Sequence, residues 1–156
     1  MKLRVLAAGM RLPGWVNEAC ADYAKRFGPE LKFELVELAI AKRGPNADVA
    51  RAVAREGERM LAAIRDGDFV VALEVGGKAM STEQLARWLG ERLQEGRDLA
   101  FLIGGPDGLA RACVERADSR LSLSALTFPH ALARVVLIEQ LYRAQSLRKG
   151  HPYHRG

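Results

Sequence analysis

Apolar and polar positions change period several times along the chain. Residues 2–8 (KLRVLAA) alternate, with Leu3, Val5 and Ala7 on one face, and predict a short strand. A loop over residues 9–14 follows, in which Pro13 can open a helix to about residue 27, where Gly28-Pro29 stops it. Residues 32–38 (KFELVEL) alternate again, with Phe33, Leu35 and Glu37 on one side, as a second strand would. The basic loop 39–46 (AIAKRGPN) ends at Asn46, placed to N-cap a helix to about residue 65. Asp48 then falls in the first turn, where the helix dipole favours an acid.

Residues 68–73 (DFVVAL) and 99–103 (LAFLI) are nearly continuous apolar runs, the pattern of strands covered on both faces of a parallel sheet. Between them, Ser81-Thr82-Glu83-Gln84 has capping-box spacing and opens a helix to about residue 95, broken by Gly96. A glycine-rich loop at 104–108, a helix to about residue 118, and a brief strand at 119–122 come next. Pro129 starts a last helix to about residue 149, whose stripe includes Leu132, Val135, Val136 and Leu137. Strands alternating with long helices predict an α/β fold, one parallel sheet with helices on both faces, over a single domain 1–156. Ligands of such sheets sit outside the carboxyl ends of the strands. That rule selects three places: just after Leu73, around Gly104-Gly105, and the loop 123–129.

Composition bounds the class. The 156 residues are 49% hydrophobic and 28% charged, ordinary globular values that exclude a disordered or fibrous chain. No apolar run approaches the roughly 18 residues of a membrane span, and charges interrupt the first nine residues, against a signal peptide. No membrane partner is expected. Cys20 and Cys113, far apart and in no CxxC pattern, suit a reducing cytoplasm without a disulfide. The net charge is +5, and residues 129–156 hold five Lys/Arg against Glu139 alone, so +4 of it lies there. Such asymmetry points to a polyanionic partner or to a solvated basic tail.

Each candidate segment has two readings. The run Gly104-Gly105-Pro106-Asp107-Gly108 is either a tight turn or a floor where a ligand approaches bare backbone. It lacks the Walker lysine and the GxGxxG spacing, so a phosphate cradle is not supported. The run 121–129 (LSLSALTFP) is either a strand with an N-cap near Thr127, or a strip offering main-chain groups to a heterocycle under Leu126. His130, in the first turn of the last helix, is kept neutral by the dipole and is either a base or a structural hydrogen-bonding group. The terminus 149–156 (KGHPYHRG) is either a frayed tail or an RNA contact, with Arg148, Lys149 and Arg155 for phosphates and Tyr153 for stacking. A metal held by His151 and His154 is disfavoured, because Pro152 breaks helical presentation and no further ligand cluster exists. Lys42 and Arg43 form a second cationic tip, or a solvated loop. The row Arg51, Arg55, Arg59 reads as a solvated helix face.

Four motifs together, KRGPNAD (42–48), LIGGPDG (102–108), LSLSALTFPH (121–130) and HPYHR (151–155), resemble the bacterial 23S rRNA (pseudouridine-N3)-methyltransferases of the SPOUT class. The resemblance covers residues 1–155, with Asp107 where Glu is expected, Phe128 where Leu is usual and Ala131 where Pro is frequent. It implies an α/β fold with a C-terminal trefoil knot, a homodimer, and S-adenosyl-L-methionine as cofactor, with no metal. Leu73, Gly104, Gly105, Leu123, Ser124, Ala125, Leu126, Thr127 and Phe128 would line the cofactor. The implied substrate is N3 of a pseudouridine in a 23S rRNA stem-loop on the assembled ribosome. His130, Tyr153, His154 and Arg155 are the candidates for proton handling and charge stabilisation, the tail completing the partner subunit's site. Lys42, Arg43, Arg148, Lys149 and His151 would contact RNA. A noncatalytic RNA-binding module using the same basic tail is the alternative.

Overall fold

The computed structural model describes residues 1–41 and 43–155, the side chain of His154 excepted. Strands β1 (Lys2–Ala8), β2 (Lys32–Leu38), β3 (Phe69–Ala79), β4 (Leu99–Ile103) and β5 (Ser119–Ser122) form one sheet in the order β2-β1-β4-β3-β5. Every pairing is parallel. Helices α1 (Gly14–Ala24), α2 (Val49–Ala63), α3 (Thr82–Glu95), α4 (Arg111–Arg116) and α5 (His130–Arg148) fill the connections.

Side-chain alternation along the strands feeds two cores. Leu3, Val5, Ala7, Val71, Leu99 and Phe101 face one side, against Val16 of α1, Leu89 of α3 and Leu137, Ile138 and Leu141 of α5. Leu6, Ala8, Val70, Ala100 and Leu102 face the other, against Met60 of α2 and Cys113 of α4. The sheet therefore carries helices on both faces, as the buried apolar strands require. Cys20 and Cys113 are free thiols in opposite cores, which precludes a bond between them. Among the described residues no helix is long and apolar enough to cross a membrane.

Local signals set most element boundaries, with instructive departures. Ser81 and Gln84 form the reciprocal capping box, and Gly96 ends α3 in the left-handed region at φ 74°. The N-cap of α2 is Asp48 rather than Asn46: its carboxylate accepts from the Arg51 amide at 3.1 Å, so Asp48 caps the helix instead of lying in its first turn. Helix α1 ends at Ala24, with Lys25 and Arg26 turning off it. On α5 the buried stripe is Arg134, Leu137, Ile138, Leu141 and Ala144, while Leu132 is exposed and Val135 and Val136 are half-buried. Arg134, 1% exposed, is neutralised by Glu37 of β2 at 2.6 Å and donates to the Gly9 carbonyl at 3.0 Å. Glu37 thus keeps its alternation with Phe33 and Leu35 because a cation meets it.

The largest departure lies in β3, which continues six residues beyond Leu73. Leu121 of β5 is in register with both Leu73 and Lys78, so residues 74–77 swing out of the ladder and return. Gly77 makes that return possible, since a β-carbon there would lie 2.9 Å from main-chain atoms of Arg120 and Leu121.

Candidate active site at the carboxyl ends of the sheet

The outswung bulge of β3 after Leu73 and the carboxyl ends of β4 and β5 open into one cleft of 910 Å³. Leu73 and the outswung Glu74, Val75 and Gly76 form one wall. Gly104, Gly105, Pro106 and Gly108 form the floor, and Leu123, Ser124, Leu126, Thr127 and Phe128 the opposite wall, with His130 and Ala133 of α5 at the end. Of the nine residues expected around a cofactor, only Ala125 is outside this lining, and it is exposed beside it.

The walls are shaped by short-range bonds. Loop 104–108 closes by a Gly108 amide bond to the Gly105 carbonyl at 3.0 Å, with Gly108 at φ 84°. A β-carbon on Gly104 would collide with the backbone of Gly108 and Leu109. The Ser122 hydroxyl donates to the Ser124 carbonyl at 3.0 Å, and the Ser124 hydroxyl accepts from the Leu126 amide at 3.0 Å. This fold-back leaves Leu126 70% exposed at the cleft. Thr127 is not a cap; Pro129 holds the N-cap position of α5 without any side-chain bond, so the helix start is left open beside the cleft.

His130 lines the end of the cleft. Its imidazole is hydrogen-bonded to the Ala8 main chain, and its Nδ1 is buried without a partner. Burial, and then the Arg134 guanidinium, push its pKa below the ordinary histidine value. The sequence expectation of a neutral imidazole holds, with desolvation and a cation as its causes.

The tail is elsewhere in the protomer. Residues 152–155 form a 3-10 turn against α5. The Tyr153 phenol shares a hydrogen bond with the Tyr23 hydroxyl at 2.9 Å and donates to Glu139 at 3.3 Å, its ring 4.8 Å from Tyr142. Glu139 lies nine residues along α5 from His130, about 14 Å of helix rise. Burial, the Tyr23 bond and the Glu139 charge hold the phenol well above the ordinary tyrosine pKa. Arg155 is exposed and His151 accepts from the Tyr153 amide at 3.2 Å. The side chain of His154 and the whole of Lys42 lie outside the described residues.

The other basic residues divide. Arg148 and Lys149 are exposed at the end of α5, 3.8 and 3.4 Å from Glu30. Arg43 is turned inward, against Glu56 and Asp107. Residues 74–76 fall in the stretch just after Leu73 that the parallel-sheet rule selected, but were not named individually because the apolar run stops at Leu73; the Gly76-Gly77 pair was the available signal. Ala133 was legible as one helical turn beyond His130. Among the described residues, no cluster of three His, Cys, Asp or Glu could hold a metal.

The donor set fits a nucleoside cofactor: a glycine floor, an open helix start, main-chain groups of a serine-lined strip, and apolar faces at Leu73 and Leu126. Comparison with known proteins bears on this. The family model described as "Predicted SPOUT methyltransferase" matches residues 1–154. The Ribosomal RNA large subunit methyltransferase H of Alkalilimnicola ehrlichii is 55% identical over 155 residues, 99% of each chain. Its namesake in Chromohalobacter salexigens is 54% identical over 155 residues, 99% of this chain and 100% of that one. Among solved structures, a probable methyltransferase from Bordetella pertussis Tohama I superposes with a TM-score of 0.57 at 19% identity, covering 91% of this chain and 95% of that one.

Proposed function

The chain belongs to the SPOUT methyltransferase family, and on that premise we propose that it transfers a methyl group from S-adenosyl-L-methionine to large-subunit ribosomal RNA. The observation that carries this reading is the convergence of the β3 bulge and the loops after β4 and β5 on one cleft with a main-chain floor. Bound there, the cofactor supplies an electrophilic methyl group on a sulfonium. Gly104, Gly105 and Gly108 would let it approach the backbone, and Leu73, Leu126 and Phe128 would cover its faces and exclude water. The acceptor we propose is N3 of a pseudouridine in 23S rRNA.

Positioning that nitrogen at roughly 3 Å from the methyl carbon is the chain's largest contribution. The imide proton must leave as the bond forms, and the half-buried His130 at the end of the cleft would accept it, its pKa lowered by burial and by Arg134. Tyr153 stays protonated, so at the substrate it would donate a hydrogen bond to an imide oxygen, with Arg155 stabilising developing charge. In its own protomer the tail is too far along α5 to do so. The reading is therefore of a cytoplasmic homodimer in which one subunit's Tyr153, His154 and Arg155 complete the other's cleft. Met10 and Trp15, 52% and 57% exposed, together with exposed Leu132 of α5, supply apolar surface for a second copy. A C-terminal trefoil knot is part of the same proposal, as are RNA contacts by Lys42, Arg148, Lys149 and His151.

The test is transfer itself. Purified protein, radiolabelled S-adenosyl-L-methionine and ribosomes lacking the modification should yield label in 23S rRNA, recovered on nucleoside digestion as N3-methylpseudouridine. Label confined to other RNA, or absent, would refute the assignment.

A further inference from the structure

We infer that Arg43 is a positioning residue for the cleft floor, acting through Asp107 and Glu56 on loop 104–108, and not a phosphate contact. This rests on the cofactor reading above. Its Nε donates to Asp107, Nη2 donates to Glu56 Oε1 at 3.1 Å, and Nη1 lies 2.8 Å from Glu56 Oε2 while donating to the Ala41 carbonyl at 2.9 Å. Each of the three guanidinium nitrogens has a partner inside the protomer, so neither two-nitrogen edge of the fork is free for a bidentate phosphate contact.

The partners explain what this arrangement holds. Asp107 is the only acidic residue of the Gly104-Gly105-Pro106-Asp107-Gly108 turn, whose neighbours on both sides line the cleft. Glu56, 5% exposed on α2, supports the same turn from beneath: a β-carbon on Gly105 would lie 3.3 Å from its Oε1. The next residue of α2, Gly57, packs so closely on Ala110 that a β-carbon would clash, and its carbonyl accepts from the Cys113 thiol at 3.5 Å. The turn is thus seated on α2, while Arg43 ties its tip to Glu56 of α2 and to the Ala41 carbonyl. The bonds to Glu56 are largely desolvated while the bond to Asp107 lies at the surface; such charge-assisted bonds are directional, and removing one partner strands the others. A turn of three glycines has little stiffness of its own, so external ties must set the direction of its main-chain groups.

Four proteins separate the outcomes: wild type, Arg43→Lys, Asp107→Asn and Asp107→Glu. Lysine keeps the charge but loses the fork, asparagine keeps the shape but loses the charge, and glutamate keeps the carboxylate. The expected result is a rise of about tenfold or more in the KM and Kd for S-adenosyl-L-methionine for Arg43→Lys and Asp107→Asn. Asp107→Glu should stay within about threefold of wild type. For all variants, kcat at saturating cofactor and RNA affinity with its salt dependence should stay close to wild type. Unchanged cofactor affinity in Arg43→Lys and Asp107→Asn, with wild type binding normally, overturns this inference alone. A raised RNA KM with a shallower salt dependence overturns it in favour of a phosphate contact. Wild type that binds no cofactor overturns this inference together with the function it rests on.

Discussion

Gly104 and Gly108 meet main chain to main chain, with no space between them for a single β-carbon. This contact closes the turn that floors the cleft, so Gly104→Ala must displace either Gly108 or the end of β4. The expected cost is about 1–3 kcal/mol of stability, as for other forced overpacking. Cofactor affinity should fall in parallel while RNA affinity stays unchanged. Thermal melts with and without S-adenosyl-L-methionine measure both, because a ligand that binds only the folded state raises its midpoint.

Tyr153→Phe removes the hydroxyl that joins Tyr23 to Glu139 but leaves the ring against Tyr142 and the Glu139–Arg143 ion pair at 2.7 Å. The loss should be about 0.5–1.5 kcal/mol of stability. If the tail serves the partner's cleft, methyl transfer should drop further than stability explains, with cofactor affinity intact. Chemical denaturation and single-turnover transfer on the same preparation test this pair of outcomes.

The pH dependence of stability has a definite sign at His130. Its folded pKa is depressed, so the unfolded chain binds more protons below its ordinary value near 6.5. Its contribution is present above pH of about 6.5 and is lost as pH falls below that value. Between pH 7 and pH 5, wild type should therefore lose more stability than His130→Gln, which cannot titrate. Equal losses in urea melts would contradict the burial of a neutral imidazole.

Much of this arrangement was legible before any coordinates. The strand limits of β1, β2, β4 and β5 follow from alternation and apolar runs, because burial on one or two faces leaves a direct mark on residue type. The capping box of α3 was equally plain. The β3 extension was not, since residues 74–79 owe their conformation to β5, an element some forty residues later, and to Gly77 having no side chain. The N-cap of α2 was misplaced by two residues because Asn46 and Asp48 are both good caps, and only geometry selects between them. At the site, all three strand-end loops were picked out by the parallel-sheet rule, but the direction of Arg43 was invisible. A cation in a basic loop reads as exposed until Glu56 and Asp107, 13 and 64 residues away, are seen to converge on it.

Charge at the end of the chain predicts a salt effect. Arg148 and Lys149 are exposed and lie 3.8 and 3.4 Å from Glu30, Arg148 also donating to the Gln145 side chain at 2.9 Å, and Arg155 is exposed beyond them. Engagement of roughly three to five phosphates by this region of single-stranded RNA gives a slope of about −2 to −3.5 in log K against log salt. Arg148→Ala with Lys149→Ala should make the slope shallower by about 1–1.5. Filter binding between about 50 and 200 mM salt reads it out, and a slope unchanged in the double variant would place the RNA elsewhere.

Everything in the account turns on one cleft binding one ligand through main-chain atoms. Calorimetric titration of S-adenosyl-L-methionine into the wild-type protein and into Gly104→Ala is the most direct measurement. The account predicts micromolar binding to wild type and at least about tenfold weaker binding to the variant. No heat and no shift of the melting midpoint with wild type, or equal affinity in both proteins, would contradict it.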